Sequence, residues 1–159
     1  MKKQFIIFAL FLGASLFSYK TNAQETKYYF VQNFWTKSYL FGGQDFGCGG
    51  KTTTPEANSW TFEPTGEKNS YRIKHTDSGN YLNIENGTLD YGEIQEGWLS
   101  ALWVIEPVKG SAPNCYRIRS VWKPTLYLNN EKVSKTNGVE CTTSSPNFHS
   151  SYWILDDGF

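Results

Sequence analysis

From residue 28 onward the chain alternates aromatic or aliphatic residues with polar ones, in runs of three to six separated by turn-forming residues. Over residues 71–107, Tyr71-Arg72-Ile73 leads to a turn at Ser78-Gly79-Asn80, then Tyr81-Leu82-Asn83-Ile84, a turn at Asn86-Gly87, and a close on Trp103-Val104-Ile105-Glu106-Pro107. A period of two, punctuated in this way, predicts short half-buried strands, and four fit in the unit. The same order stands upstream as Tyr29-Phe30-Val31, Tyr39-Leu40 and Trp60-Thr61-Phe62-Glu63-Pro64, and downstream as Tyr116-Arg117-Ile118, Tyr127-Leu128 and Trp153-Ile154-Leu155-Asp156-Asp157. The opening tyrosines lie 42 and 45 residues apart and the closing tryptophans 43 and 50, so the drift falls in loops, where length changes are tolerated. After the first 23 residues no window sustains spacing of three and four, and no long helix is expected.

Three units, about 28–64, 71–107 and 116–157, thus fill residues 24–159. Propellers built from blades of this length take about four to eight of them. Three units with twelve short strands predict an all-β, single-domain β-trefoil, in which a barrel closes with pseudo-threefold symmetry. The joints 63–70 and 106–114 are too short to separate domains. The pattern of Tyr-x-Ile, then Tyr-Leu, then Trp-(Val/Ile)-(Ile/Leu)-Glu-Pro resembles the ricin-type β-trefoil lectin domains of secreted bacterial proteins, over about residues 28–157. That resemblance implies the trefoil fold and carbohydrate binding.

The first 23 residues have a different character. Lys2 and Lys3 precede a nearly unbroken apolar run, 5–17, and Thr21-Asn22-Ala23 forms a small-residue exit. A signal peptide cleaved before Gln24 is expected, too short to span a bilayer and without a cysteine for a lipid anchor, so export to the periplasm, cell surface or medium follows. Removing it takes three of the fifteen bases and none of the fifteen acids, leaving a formal charge of −3. A phosphate-binding surface requires the opposite bias, so nucleic acid is not an expected partner, nor is insertion in a membrane. A monomer is expected.

Three cysteines, Cys48, Cys115 and Cys141, cannot all pair within one chain, and each of the three possible pairings leaves one free. Cys48, Tyr91 and Cys141 each stand twelve residues before a closing tryptophan and two after an apolar residue, which predicts equivalent core-facing positions. Scattered cysteines and two distant histidines lack metal-ligand spacing, and no cofactor is implied. The glycine-rich stretch 42–50 lacks the order of a phosphate loop and is expected to form a hairpin with close backbone approaches. Asn86-Gly87-Thr88 matches a glycosylation sequon, but Asn-Gly has a prior use as a turn. Residues 131–151, rich in Ser, Thr and Asn, predict a long surface loop.

Catalytic signatures are missing. His75 and Asp77 share a strand face without a nucleophile, His149 stands near Ser150 and Ser151 without an oxyanion hole in view, and Glu93 and Glu96 are an ordinary loop pair. Sugar binding needs a flat ring against the apolar face of a pyranose and short polar groups for its hydroxyls. Trp35 and Trp122 occupy the same place in units one and three, beyond the first strand, where unit two has Asp77; a strand end predicts at least half exposure. Asn83 and Asn129 follow the Tyr-Leu pair, where the ricin-type resemblance implies a sugar-chelating aspartate, and unit one has Phe41 there. Asp90, Tyr91 and Trp98 flank the facing loop of unit two. The family's glutamine two before the closing tryptophan is replaced by Asn58, Ala101 and Ser151. Weighed against these candidates, the asparagines equally suit turn caps, Tyr91 suits the core, and a repeated tryptophan suits packing.

The resulting expectation is a secreted, non-catalytic carbohydrate-binding trefoil with a glycan or polysaccharide partner. Its rivals are a trefoil protease inhibitor presenting Lys51 or Lys135 at a loop tip, and a trefoil that binds a protein partner.

Overall fold

The computed structural model describes residues 26–43, 47–51, 59–131 and 139–157, with the side chains of 43, 47–51 and 157 left aside. Twelve strands follow one another: β1 Tyr28–Asn33, β2 Tyr39–Gly43, β3 Gly47–Lys51, β4 Ser59–Pro64, β5 Ser70–His75, β6 Tyr81–Asn83, β7 Asp90–Gly92, β8 Trp103–Pro107, β9 Cys115–Ser120, β10 Leu126–Asn130, β11 Val139–Thr143 and β12 Trp153–Asp157. Helix among the described residues is limited to two 3₁₀ turns, Leu99–Ala101 and His149–Ser151.

Pairing closes a ring. β1 bonds to β4, β4 to β5, β5 to β8, β8 to β9, β9 to β12, and β12 returns to β1, all antiparallel. Closure leaves these six barrel strands without a free edge. The other six form the hairpins β2–β3, β6–β7 and β10–β11. Each hairpin leaves the barrel at the same register, Gln32 opposite Tyr39, Lys74 opposite Tyr81 and Arg119 opposite Tyr127. This is the β-trefoil that the repeats predict.

The core explains why three copies are needed. Val31, Ile73 and Ile118 form one set of equivalent buried residues, Leu40, Leu82 and Leu128 a second, and Trp60, Trp103 and Trp153 a third. Each indole Nε1 donates to the carbonyl of the leucine of its own unit: Trp60 to Leu40 at 3.2 Å, Trp103 to Leu82 at 3.1 Å, Trp153 to Leu128 at 2.9 Å. A buried indole N–H needs such an acceptor, and this bond ties each barrel strand to its hairpin. No unit covers its rings alone, so each folds against the other two.

Four expectations are corrected. Leu82 faces Tyr91 and Leu128 faces Cys141, but Leu40 faces Gly50, and Cys48 lies opposite Gly42; Gly50 stands ten residues before its closing tryptophan where Tyr91 and Cys141 stand twelve, so counting back from the tryptophan misplaces Cys48. Lys51 pairs with Tyr39 as the last residue of β3, in a strand and not at a loop tip, while Lys135 lies outside the described residues. Segment 131–151 is interrupted by β11 and by a 3₁₀ turn. Asn86-Gly87 belongs to a turn closed by Gly87 N–H on the Ile84 carbonyl at 2.9 Å, with Gly87 at φ 83°, and this turn lies within a longer connection between β6 and β7.

The expected glycine approach is found at Gly42. A Cβ there would lie 2.6 Å from Cε2 of Tyr91, so the absence of a side chain in unit one admits the tyrosine of unit two. Cys115 and Cys141 are free thiols, the first buried and the second packed against the core. Burial pushes the Cys141 thiol up to about 12, slightly offset by Lys123. The expected signal peptide, 1–23, lies outside the described residues.

Candidate functional site

Three turns leave the barrel after β1, β5 and β9, and the second residue past each strand is Trp35, Asp77 or Trp122. Each turn docks on the residue before the closing tryptophan of the preceding unit around the barrel. Phe34 N–H donates to the Tyr152 carbonyl at 2.8 Å, Thr76 N–H to Ser59 at 3.1 Å, and Val121 N–H to Leu102 at 2.9 Å. The turns therefore sit at seams between units. Trp35 is 58% exposed and Trp122 41%, the latter a little under the half expected, whereas Trp60, Trp103 and Trp153 are fully buried and Trp98 is half-buried.

At the seam of units one and three, Trp35, Glu131, Asn147, Phe148, His149 and Ser150 line an open cleft of about 430 Å³, within the range of about 300–1,000 Å³ that small-molecule sites occupy. Phe148 is 53% exposed. The Trp35 and His149 rings stand 6.4 Å apart at 48°, and His149 is held in turn by Phe34 at 5.5 Å and Tyr152 at 5.2 Å. The cleft thus combines two exposed rings with a carboxylate, an amide, an imidazole and a hydroxyl.

A buried polar network underlies it. Asn33, fully buried, donates from Nδ2 to the Ser150 carbonyl at 2.8 Å and the Tyr152 carbonyl at 3.3 Å. Its Oδ1 accepts from Trp35 N–H at 3.1 Å, Thr36 N–H at 3.0 Å and Thr36 Oγ1 at 3.2 Å. Asn130 Nδ2 reaches across from β10 to Ser38 Oγ at 2.9 Å and Thr36 Oγ1 at 3.2 Å. One side chain thereby fixes both walls of the cleft. The sequence carried a trace of this: Asn130 stands where unit two has the core residue Ile84, and a polar residue at a core position requires partners.

The seam of units two and three is poorer. Gly97, Leu99 and Ser100 stand where the first has Asn147, His149 and Ser150; Leu99 is 54% exposed and Ser100 is buried. The Lys123 ammonium covers the Trp122 ring at 4.4 Å from its centroid. Ser120 replaces Asn33, and its Oγ accepts only the Lys123 N–H, at 3.1 Å, among the described residues.

The positions after the Tyr-Leu pair point inward. Asn83 is buried, and its Oδ1 caps Glu85 N–H at 3.2 Å, the turn-capping role. Asn129, also buried, donates from Nδ2 to Glu131 Oε1 at 2.9 Å and Thr142 Oγ1 at 3.1 Å, which leaves its Oδ1 without a partner among the described residues. Asp90 pairs with Asn83 across β6–β7 and accepts from Tyr91 N–H at 2.7 Å. Tyr91 takes the opposite face. It packs on Trp60 and His75, with its hydroxyl bonded to Ser78 Oγ and His75 Nδ1, and Trp98 precedes the 3₁₀ turn of its own unit. The structure therefore brings Asn83 and Asp90 together, joins Asn129 to the Trp35 cleft through Glu131, and separates Tyr91 from both.

The larger hollow, about 920 Å³, is the mouth of the barrel, lined by the equivalent residues Tyr29, Tyr71 and Tyr116 with Phe62, Ile105 and Leu155. It is the gap where the three units meet, lined by repeated packing residues, so volume alone does not make it the site.

A family profile described as ricin-type beta-trefoil lectin domain-like matches residues 56–144. The chain belongs to that family. No curated protein sequence matches this lectin-like trefoil significantly. Among solved structures, a GlcNAcα1-4Gal-releasing endo-β-galactosidase from Clostridium perfringens superposes with a TM-score of 0.71 at 24% identity, over 84% of this chain and 33% of that one. SeviL bound to asialo-GM1 saccharide gives 0.67 at 17%, over 84% of this chain and 99% of that one. The Polyporus squamosus lectin, bound to a human-type influenza-binding epitope, gives 0.65 at 18%, over 83% and 49%. The lectin-like trefoil thus spans about a third of the galactosidase and nearly all of SeviL. At these identities the likeness shows the fold.

Proposed function

We propose that this protein is an exported, non-catalytic lectin that binds glycans through exposed tryptophan platforms at the seams of its trefoil. The observation that carries the reading is the partition of the tryptophans: the three closing ones are buried, while Trp35 and Trp122 are held out to solvent at equivalent turns of a rigid barrel. Exposed indoles lose the stabilisation of burial, about 1.5–3 kcal/mol for a large side chain, and a stacking ligand restores it. Family membership supports carbohydrate as that ligand, as do the saccharides bound to SeviL and to the Polyporus squamosus lectin.

Catalysis finds no support in the residues the sequence offered. His75 is packed under Trp60 at 5.0 Å, and the Ser151 hydroxyl is committed to the Phe148 carbonyl at 2.8 Å. The basic start, apolar run and small-residue exit of 1–23 support export. A glycan array probed with residues 24–159 tests binding; silence on every saccharide would end the lectin reading. N-terminal sequencing of the full chain expressed in a bacterium is expected to begin at Gln24, and retention of Met1 would remove the export reading.

A further inference from the structure

We infer that the cleft between units one and three, and not a pocket within any one unit, is the principal sugar site, and that it selects neutral pyranoses over acidic ones. This rests on the lectin reading and gives it a place and a ligand class. Three observations converge. Trp35 and Phe148 are the most exposed of the tryptophan, tyrosine and phenylalanine side chains described, and both line this one cleft. The polar lining comes from two units, Glu131, Asn147, His149 and Ser150 from unit three around Trp35 from unit one. Buried Asn33 and Asn130 lock the Trp35 turn to unit three, so the rings are positioned before a ligand arrives.

A buried polar atom without a partner among the described residues belongs to the side chain that holds Glu131. Asn129 Oδ1 is unpaired among the described residues, and the amide nitrogen of that side chain holds the Glu131 carboxylate. A hydroxyl ligand that engages Glu131 meets a group already oriented from behind. The within-unit alternative is built differently: Asn83 Oδ1 caps a turn, and the Asp90 carboxylate accepts from the Tyr91 amide and the Asn86 side chain of its own hairpin.

Selectivity follows from charge. Among the described residues of the lining, Glu131 is the only formally charged one. A carboxylate accepts hydrogen bonds from vicinal hydroxyls and repels a sialic or uronic acid. Lys37, the cation on the Trp35 turn, is turned toward Phe34, with its ammonium 4.6 Å from that ring's centroid. Trp122, with its face under Lys123 and leucine and glycine in place of imidazole and amide, forms a secondary platform.

The test uses residues 24–159 and albumin carrying lactose, chitobiose or mannobiose as neutral probes, and sialyllactose or glucuronate as acidic ones, read by biolayer interferometry. At least one neutral probe is expected to bind about tenfold tighter than the acidic ones. Trp35→Ala is expected to weaken it at least tenfold, and Glu131→Gln to narrow the neutral-to-acidic ratio, with near-UV circular dichroism confirming that each variant is folded. Binding that survives Trp35→Ala but is lost in Asp90→Ala overturns the seam and leaves the lectin intact. A preference for acidic probes, or an unchanged ratio in Glu131→Gln, overturns the selectivity. No binding to any of these probes by the unaltered protein overturns the ligand class proposed here, and silence across the glycan array as well removes the lectin reading itself.

Discussion

Asn33→Ala isolates what one buried amide does for the seam. The side chain makes two donations, to the carbonyls of Ser150 and Tyr152, and accepts from the amides of Trp35 and Thr36 and the Thr36 hydroxyl. The Tyr152 carbonyl keeps its bond from Phe34 N–H, and the Thr36 hydroxyl keeps Ser38, so the groups left wanting are the Ser150 carbonyl and two turn amides. A buried group left unsatisfied costs about 1–3 kcal/mol, less where water reaches it, as at the outer edge of this turn. The expected loss is about 2–4 kcal/mol, or about 8–16 °C in Tm for a domain of this size. Ser120→Ala at the equivalent position removes one bond and is expected to cost about 0.5–1.5 kcal/mol. Urea denaturation of the two variants side by side measures the difference. Equal losses, or an Asn33→Asp variant as stable as the parent despite its lost donors and buried charge, would refute the reasoning.

Trp103→Phe leaves the Leu82 carbonyl without its indole donor and opens a small void, for an expected loss of about 2–4 kcal/mol by urea titration; a loss under about 0.5 kcal/mol would show that this bond does not bind hairpin to barrel. Gly42→Val drives a side chain into the Tyr91 ring and is expected to cost about 1–3 kcal/mol, with Tyr91→Ala in the same chain recovering part of it. The Cys141 thiol, pushed up to about 12, should resist alkylation by iodoacetamide at pH 8 until the protein is unfolded. The native state keeps this proton where the unfolded chain has lost it, so stability should fall with a slope approaching about 1.4 kcal/mol per pH unit between about pH 9 and 12. Cys141→Ala should remove that component of the alkaline slope, as measured by urea midpoints at pH 8, 9 and 10.

The fold was legible because the residues that build the barrel are local signals repeated three times. Tyr-Leu and the closing tryptophan mark strand positions whose meaning does not depend on distant contacts, and the leucine carbonyl that each indole finds lies in the same unit. The seam was only half legible. Trp35 and Trp122 could be placed at strand ends by counting, but that Trp35 meets His149 depends on the closure of the ring, across more than a hundred residues. Asn33 and Asn130 were passed over because an asparagine near a turn has many uses, and only the packing across β10 shows which one applies. Cys48 was misplaced because a count back from the tryptophan assumes equal connections, and the one that follows the second hairpin strand is shorter in unit one.

The pairing of β1 with β12 gives the seam a further property. Trp35 leaves the ribosome early, and its counterpart His149 more than a hundred residues later, so no nascent or truncated chain short of the final strand holds the assembled recess. On the proposed reading, sugar capture doubles as a certificate of completed folding: a molecule able to grip a glycan at this seam has already brought its first and last strands together.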